Sequence, residues 1–203
     1  MNLVVWGHAA RKQELMQPIE GVNWIEVNKP EDLQTVSSAD AFFLLDPSAI
    51  QLDLGFTQSP VFVHAVSDTL KEYAHGPHVY RINAWPGYIE KPSWEMVGTL
   101  SEKAAFVLSA IHKSILSSPD SLGMISAPVI SLLINEAYLA LADGVSTEEA
   151  IDTAMKLGTN YPFGPFEWAE KIGLPEVYTL LLKLSRQDSR YLPATSLKNK
   201  AGF

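Results

Sequence analysis

The sequence predicts an α/β region followed by an all-helical region. Three observations carry that expectation. Residues 1–98 contain five short apolar runs rich in β-branched and aromatic side chains. Shorter polar segments separate those runs, as they do where crossovers join parallel strands. From Thr99 the apolar residues recur at helical spacing, and capping motifs mark the starts. The expected domains are therefore 1–98 and 99–203.

Strands are expected at Leu3-Val-Val-Trp6, Trp24-Ile-Glu-Val27, Ala41-Phe-Phe-Leu-Leu45, Pro60-Val-Phe-Val-His-Ala-Val66 and Val79-Tyr-Arg-Ile82. Their near-continuous apolar character fits a sheet covered on both faces. Ala9–Met16, Pro30–Val36 and Asp68–Ala74 are the expected helical pieces between them. Thr99-Leu-Ser-Glu102 has the form of a capping box. Ala105, Leu108 and His112 would share one face of the helix that it opens. Ser117-Ser-Pro-Asp-Ser121 breaks the pattern. A helix over Met124–Leu141 closes near Asp143-Gly144. Ser146-Thr-Glu-Glu149 opens another, with Gly158 supplying the left-handed stop. Glu167–Ile172 and Pro175–Ser185 are two more, separated by Gly173. The tail Leu192–Phe203 reads as irregular.

Composition removes several function classes. The chain has 15 basic and 23 acidic residues, a formal charge of −8, which argues against nucleic acid as a partner. Hydrophobic residues make up 47% and charged residues 19%, the balance of a globular protein. There is no cysteine, so disulfides, thiolate catalysis and cysteine-ligated metals are excluded. No His/Asp/Glu grouping has metal-ligand spacing, and no metal is expected. The start has no basic segment followed by a long apolar stretch. The apolar run from Ile125 to Ala142 is broken by Pro128, Asn135 and Glu136, short of the roughly 20 residues of a membrane span. A cytoplasmic protein without membrane contact is the expectation.

The most informative motifs lie in the second half. Leu132-Leu-Ile-Asn-Glu-Ala-Tyr138 is followed by Asp143-Gly-Val-Ser-Thr-Glu-Glu-Ala-Ile-Asp-Thr-Ala-Met-Lys-Leu-Gly158. Then come Asn160-Tyr-Pro-Phe-Gly-Pro-Phe-Glu167 and Ile172-Gly-Leu174. In physical terms Pro162 and Pro165 stiffen a turn, and Glu167 suits the positive end of the next helix. Phe163, Phe166 and Trp168 then anchor helix against helix. Order, spacing and residue types over roughly Gly123–Leu184 resemble the C-terminal helical domain of the 3-hydroxyacyl-CoA dehydrogenase family. The resemblance implies a shortened Rossmann-like parallel sheet domain followed by an all-helical dimerisation domain. It also implies NAD as cofactor, an acyl-CoA-type ligand, and a homodimer formed through the helical domain.

Against that family, the first half departs at its functional positions. Of the family's Gly-x-Gly-x-x-Gly, the stretch Gly7-His-Ala-Ala-Arg-Lys12 keeps only Gly7. Arg11 and Lys12 stand near the third glycine, where small residues let a helix approach a diphosphate. NAD is implied by the resemblance, and this loop argues against its usual mode of binding. Glu26 is the candidate for a ribose hydroxyl, with a solvated strand-end carboxylate as the plainer role. The cofactor candidates are thus Gly7 and Glu26.

The family's general base is a histidine, oriented by a glutamate twelve residues later. By this alignment Asn83 replaces the histidine and Glu95 retains the glutamate. An amide has no titrating group near neutral pH and cannot be that base. Ser67 lies near the family's serine. Ala127 replaces the asparagine that touches substrate, with Ser126 beside it. The catalytic candidates are Glu95, Asn83 and Ser67. His64 reads equally as core or as functional, whereas His75 and His78, flanking Gly76-Pro77, read as solvent-facing. Trp85 and Trp94 read as packing residues, with an apolar pocket as the alternative. Two functions stay open. One is an NAD-linked oxidoreductase of hydroxyacyl thioesters. The other is a catalytically inactive dimeric binding or scaffold protein derived from that family.

Overall fold

The computed structural model describes residues 1–36, 38–73 and 75–203. The chain forms two compact units, Met1–Met124 and Ile125–Phe203.

The first unit is built on strands β1 (Asn2–Gly7), β2 (Asn23–Glu26), β3 (Ala41–Leu45), β4 (Val61–His64), β5 (Val79–Ile82), β6 (Ser93–Val97) and β7 (Ser114–Ser117). They form one sheet in the order β2-β1-β3-β4-β5-β6-β7. Pairing is parallel from β2 through β5, antiparallel between β5 and β6, and parallel again between β6 and β7. All side chains of β3, β4 and β5 are buried, which explains why these runs lack polar alternation.

The two faces of the sheet are covered unequally. On one face Leu3, Val5, Phe43, Phe62, Tyr80, Ile82, Trp94 and Met96 form a core with two helices, α1 (Ala9–Leu15) and α2 (Glu102–Ala110). Phe43 stacks on Phe62 at 4.9 Å, and Phe62 on Tyr80 at 5.3 Å, so the core is continuous across three strands. On the other face Val4, Phe42, Leu44, Val61, Val63 and Val79 meet Leu33, Ala49, Ile50 and Leu54. The covering pieces there are 3-10 turns at Pro30–Thr35, Pro47–Gln51 and Leu70–Glu72. The expected helical pieces at Pro30–Val36 and Asp68–Ala74 are therefore tighter and shorter than α-helices, and Ala74 lies outside the described residues. Each turn still inserts one or two apolar side chains, enough to cover a short strand.

Several expectations are corrected. The unit boundary falls at 124/125 rather than 98/99. Helix α2 is the crossover between β6 and β7, and Ala104, Val107, Leu108 and Ile111 bury into the first core. Leu108 lies on the buried face as expected, whereas Ala104 and Ile111 stand there in place of Ala105 and His112. The cap is Ser101, whose Oγ accepts from the Ala104 N–H, and not Thr99. Strands β6 and β7 were not expected, because Ser93–Val97 and Ser114–Ser117 mix polar with apolar residues, β7 as the edge of the sheet and β6 beside it.

The second unit contains α3 (Ser126–Ala142), α4 (Glu148–Thr159), α5 (Pro165–Ile172), α6 (Leu174–Ser185) and α7 (Thr195–Lys200). Thr147 caps α4 by accepting from the Ala150 N–H. Helix α4 runs past Gly158 and stops at Asn160, which takes the left-handed conformation at φ 56°. Pro165 opens α5, and the Gly164 N–H donates to Glu167 Oε2 at 2.9 Å. Phe166 and Trp168 are buried as expected, and Phe163 packs edge-on against Trp168. The tail is helical rather than irregular. Asn135 holds it by accepting from the Ala194 N–H at 2.8 Å and donating to the Leu192 carbonyl at 3.1 Å. Among the described residues no helix is long and apolar enough to cross a membrane.

Candidate functional site

In a parallel sheet of this kind the crevice for ligands opens at the carboxyl ends of the strands, where the order reverses between neighbouring strands. Here that point lies between β1 and β3. Gly7 ends β1 opposite Leu45, at φ 135°. A Cβ at this position would stand 2.5 Å from the Leu45 carbonyl carbon and 2.6 Å from the Asp46 nitrogen. Gly7 is therefore required by the contact between the two strand ends.

The first turn of α1 then brings Arg11 across the same point. Arg11 is 2% exposed, and its Nη1 donates to the Leu45 carbonyl at 2.8 Å. Leu15, one turn later on the same helix face, enters the core. Lys12 turns the other way and pairs with Glu26 at 2.5 Å. Glu26 is the last residue of β2, so the carboxylate considered for a ribose is held by a lysine. On the rim, His8 Nε2 lies 3.8 Å from Asp46 Oδ2.

The catalytic candidates are arranged by the β5–β6 pair. Ile82 faces Met96, so Asn83 faces Glu95 one step on, and the Asn83 N–H donates to the Glu95 carbonyl at 3.4 Å. Directly opposed residues of an antiparallel pair share a face. The structure thus brings Asn83 and Glu95 together. Asn83 is 3% exposed, and its Oδ1 accepts from the Trp85 N–H at 3.1 Å. Ser67 is half-buried, three residues beyond the end of β4, the strand beside β5.

Arg81 precedes Asn83 by two residues and shares its face; the motif reading did not single it out. It is fully buried. Its Nη1 donates to Asp120 at 2.6 Å and its Nη2 to the Ser121 carbonyl at 2.5 Å. Burial lowers the guanidinium pKa from its ordinary value, and Asp120 opposes that effect first, followed by Asp68, Glu72 and Glu95. Asp120 also accepts from the Leu70 and Lys71 N–H groups at 3.0 Å each. This cluster ties the breaker segment to β5 and to the turn after β4. A buried charge is tolerable only with such partners, and a lone arginine in a strand gives no sequence signal of them.

The histidines have structural partners. His64 is fully buried, and its Nδ1 accepts from the Ala84 N–H at 3.0 Å. His75 and His78 are half-buried rather than solvent-facing. Their Nε2 atoms reach the Ile50 and Leu54 carbonyls at 2.7 and 3.2 Å. Trp94 is core, its Nε1 donating to the Ile89 carbonyl, and Trp85 is fully buried. Among the described residues no group of three or more His, Asp or Glu side chains is placed to hold a metal ion.

In the second unit Ala127 is fully buried in the first turn of α3 and Ser126 begins that helix. A cavity of about 510 Å³, which motif reading missed, is lined by residues that include Tyr138, Glu148, Asp152, Glu167, Glu170 and Lys200. Its acids are largely engaged with the fold. Asp152 accepts from the Phe166 and Glu167 N–H groups, Glu167 pairs with Lys156, and Glu148 with Lys200.

Comparison with known proteins agrees with this architecture. Residues 123–201 match the model of the 3-hydroxyacyl-CoA dehydrogenase C-terminal domain. The helical unit is thus similar to the C-terminal domain of that family. A 3-hydroxybutyryl-CoA dehydrogenase of Clostridioides difficile is 28% identical over 195 residues, 90% of this chain and 69% of that protein. The 3-hydroxyadipyl-CoA dehydrogenase of Escherichia coli K12 is 38% identical over 103 residues, 50% of this chain but only 22% of that protein. Among solved structures, M. tuberculosis FadB2 superimposes with a TM-score of 0.68 at 18% identity, covering 87% of this chain and 69% of that one. The (S)-3-hydroxybutyryl-CoA dehydrogenase of Ralstonia eutropha gives 0.62 at 19% identity, with the same coverage. These last two likenesses show the Rossmann-like sheet with its helical partner, the fold alone.

Proposed function

We propose that this chain is a catalytically inactive, dimeric binding or scaffold protein derived from the 3-hydroxyacyl-CoA dehydrogenase family, whose frame it keeps. The carrying observation is Arg11, buried at the carboxyl ends of β1 and β3 with its guanidinium on the Leu45 carbonyl. A diphosphate on a Rossmann-type loop needs that space and a free approach to the backbone. Lys12 on Glu26 adds to the misfit, because the ribose carboxylate then already has a cation. With these residues NAD does not fit in its usual mode. Asn83 in place of the base removes proton abstraction at that atom, since a carboxamide neither gains nor loses a proton near neutral pH. Ala127 presents only a methyl group, and its burial closes it to substrate.

Dimerisation through the helical unit is supported by its uncovered apolar side chains. Ile125, Val129, Val145 and Leu157 stay exposed, Leu157 at 83%. An isologous contact would cover such a set. The ligand class that the family suggests is an acyl-CoA thioester, and the compartment the cytoplasm.

A second reading is favoured by one observation. Glu95 retains its twelve-residue spacing and lies across the ladder from Asn83. An oxidoreductase of hydroxyacyl thioesters with altered chemistry would keep that pair. One assay separates the two readings. The protein is mixed with NADH and acetoacetyl-CoA, and absorbance at the nicotinamide band is followed. The expected result is no turnover, with a dimer in sedimentation. Turnover that disappears in Glu95→Gln would establish the second reading instead.

A further inference from the structure

The helical unit holds a cavity that the proposed function leaves unused. Its volume of about 510 Å³ lies in the range of small-ligand sites. All its lining residues fall within the unit Ile125–Phe203. The walls are of two kinds. Tyr138 and Phe166, whose rings meet edge-on at 5.1 Å, make an apolar side with Ala169 and Leu174. Around it stand five carboxylates against a single ammonium, that of Lys200.

Four of these acids have a structural reason. Glu148 and Glu149 occupy the first turn of α4, where a carboxylate suits the positive helix end. Asp152 and Glu167 accept from N–H groups at the start of α5. Glu170 has no such reason. It lies in the last turn of α5, the end at which a negative charge is unfavourable, and among the described residues no cation pairs with it.

The chain's own tail supplies an ammonium to this lining. Lys200 Nζ, on α7, donates to Glu148 Oε1 at 2.7 Å and stands 5.7 Å from the Tyr138 ring centroid. The Glu148 hydrogen bond raises the ammonium pKa above its ordinary value, against the effect of burial. A carboxylate beside an aromatic face is an arrangement that holds organic ammonium ions. Lys200 fills it loosely. Its side chain is 52% exposed, its distance is near the outer limit for a cation on a ring, and an exposed pair costs little to open.

We propose that this cavity binds a small organic ammonium ion, a protonated amine on an apolar body, which displaces Lys200. Glu148 and Glu170 meet its charge, and Tyr138 and Phe166 take its apolar body. Lys200 is then an internal competitor for the same place. Binding here is independent of turnover at the sheet unit.

The test is titration of phenethylamine, near neutral pH, into the isotope-labelled full chain, followed by amide chemical shifts. The neutral counterpart is 2-phenylethanol. Saturable shifts at about millimolar amine or below are expected around the lining residues, with the alcohol about tenfold weaker. Glu170→Gln should weaken binding about threefold to tenfold without lowering stability in urea, which a purely structural role would not produce. Lys200→Gln should tighten binding by roughly a few fold. Equal binding of amine and alcohol overturns the ammonium assignment. Weaker binding by Lys200→Gln overturns the displacement. Shifts confined to residues outside the cavity, or no saturation of wild type and Lys200→Gln alike, overturn the site.

Discussion

The sheet unit and the helical unit hold their shapes by different means. The helical unit is held at its corners. Asp152 on α4 caps α5 through the Phe166 and Glu167 N–H groups, while Glu167 returns to the Gly164 N–H and also meets Lys156. These contacts use particular residues at particular spacings, so the family motif there is a folding motif. The sheet unit is held by five apolar strands and a few apolar side chains from 3-10 turns. Such a core accepts many hydrophobic sequences of suitable size. Positions such as Arg11, Lys12 and Asn83 can therefore vary without loss of the fold. A motif made of caps and turns persists with the structure, whereas a motif made of ligand contacts persists only with the ligand.

Three substitutions press on this contrast. The largest effect is expected from Gly7→Ala. A Cβ 2.5 Å from a backbone carbon, at φ 135°, must displace β1 from β3. A loss of about 3–5 kcal/mol is expected in urea unfolding, from strain and overpacking together. Amide exchange should rise in residues 2–97 before it rises in 126–200. Equal acceleration in both would show that the units do not unfold separately.

Asp152→Ala comes next. It strands two N–H groups at the start of α5 and is expected to cost about 2–3 kcal/mol. Here the faster exchange should fall in α4 and α5, leaving the sheet unchanged. An effect confined to the sheet would break the contrast.

The smallest effect concerns pH. The Lys156 hydrogen bond first, and the Gly164 N–H second, hold the Glu167 carboxyl below its ordinary pKa. A carboxyl lowered in the folded state stabilises above its unfolded pKa, and that contribution is lost as pH falls through the folded value. Thermal midpoints of wild type and Glu167→Gln should differ near neutral pH and converge only in acid below the ordinary glutamate range. Curves that stay parallel into acid would mean that Glu167 acts only as a neutral acceptor.

Much of this was legible in the residues. The first five strands stand within a few residues of where apolar runs placed them, because a strand buried on both faces has no room for polar side chains. Pro165, Glu167 and Gly173 mark their helix ends for local reasons. Gly158 misled, since Asn160 also tolerates the left-handed conformation and the helix continued to it. Strands β6 and β7 were hidden because the edge strand β7 and its neighbour β6 both mix polar with apolar residues. The boundary at 124/125 followed from that omission, as α2 had no visible strand on its far side. At the site, the spacing of Asn83 and Glu95 was readable, but their opposition across an antiparallel ladder was not.

By itself the sequence determined an α/β region before a helical one and the likeness of the helical region to the domain that its motifs resemble. These are local properties, fixed by hydrophobic period, capping chemistry and residue identity. Only the tertiary structure decided where Arg11, Arg81 and His64 point. Each is a polar side chain in an apolar surrounding, and each is stable there because partners distant in the chain accept or donate a hydrogen bond. Arg11 finds the Leu45 carbonyl, Arg81 finds Asp120, and His64 finds the Ala84 N–H. Sequence spacing carries no record of such partners, because the sheet brings them together.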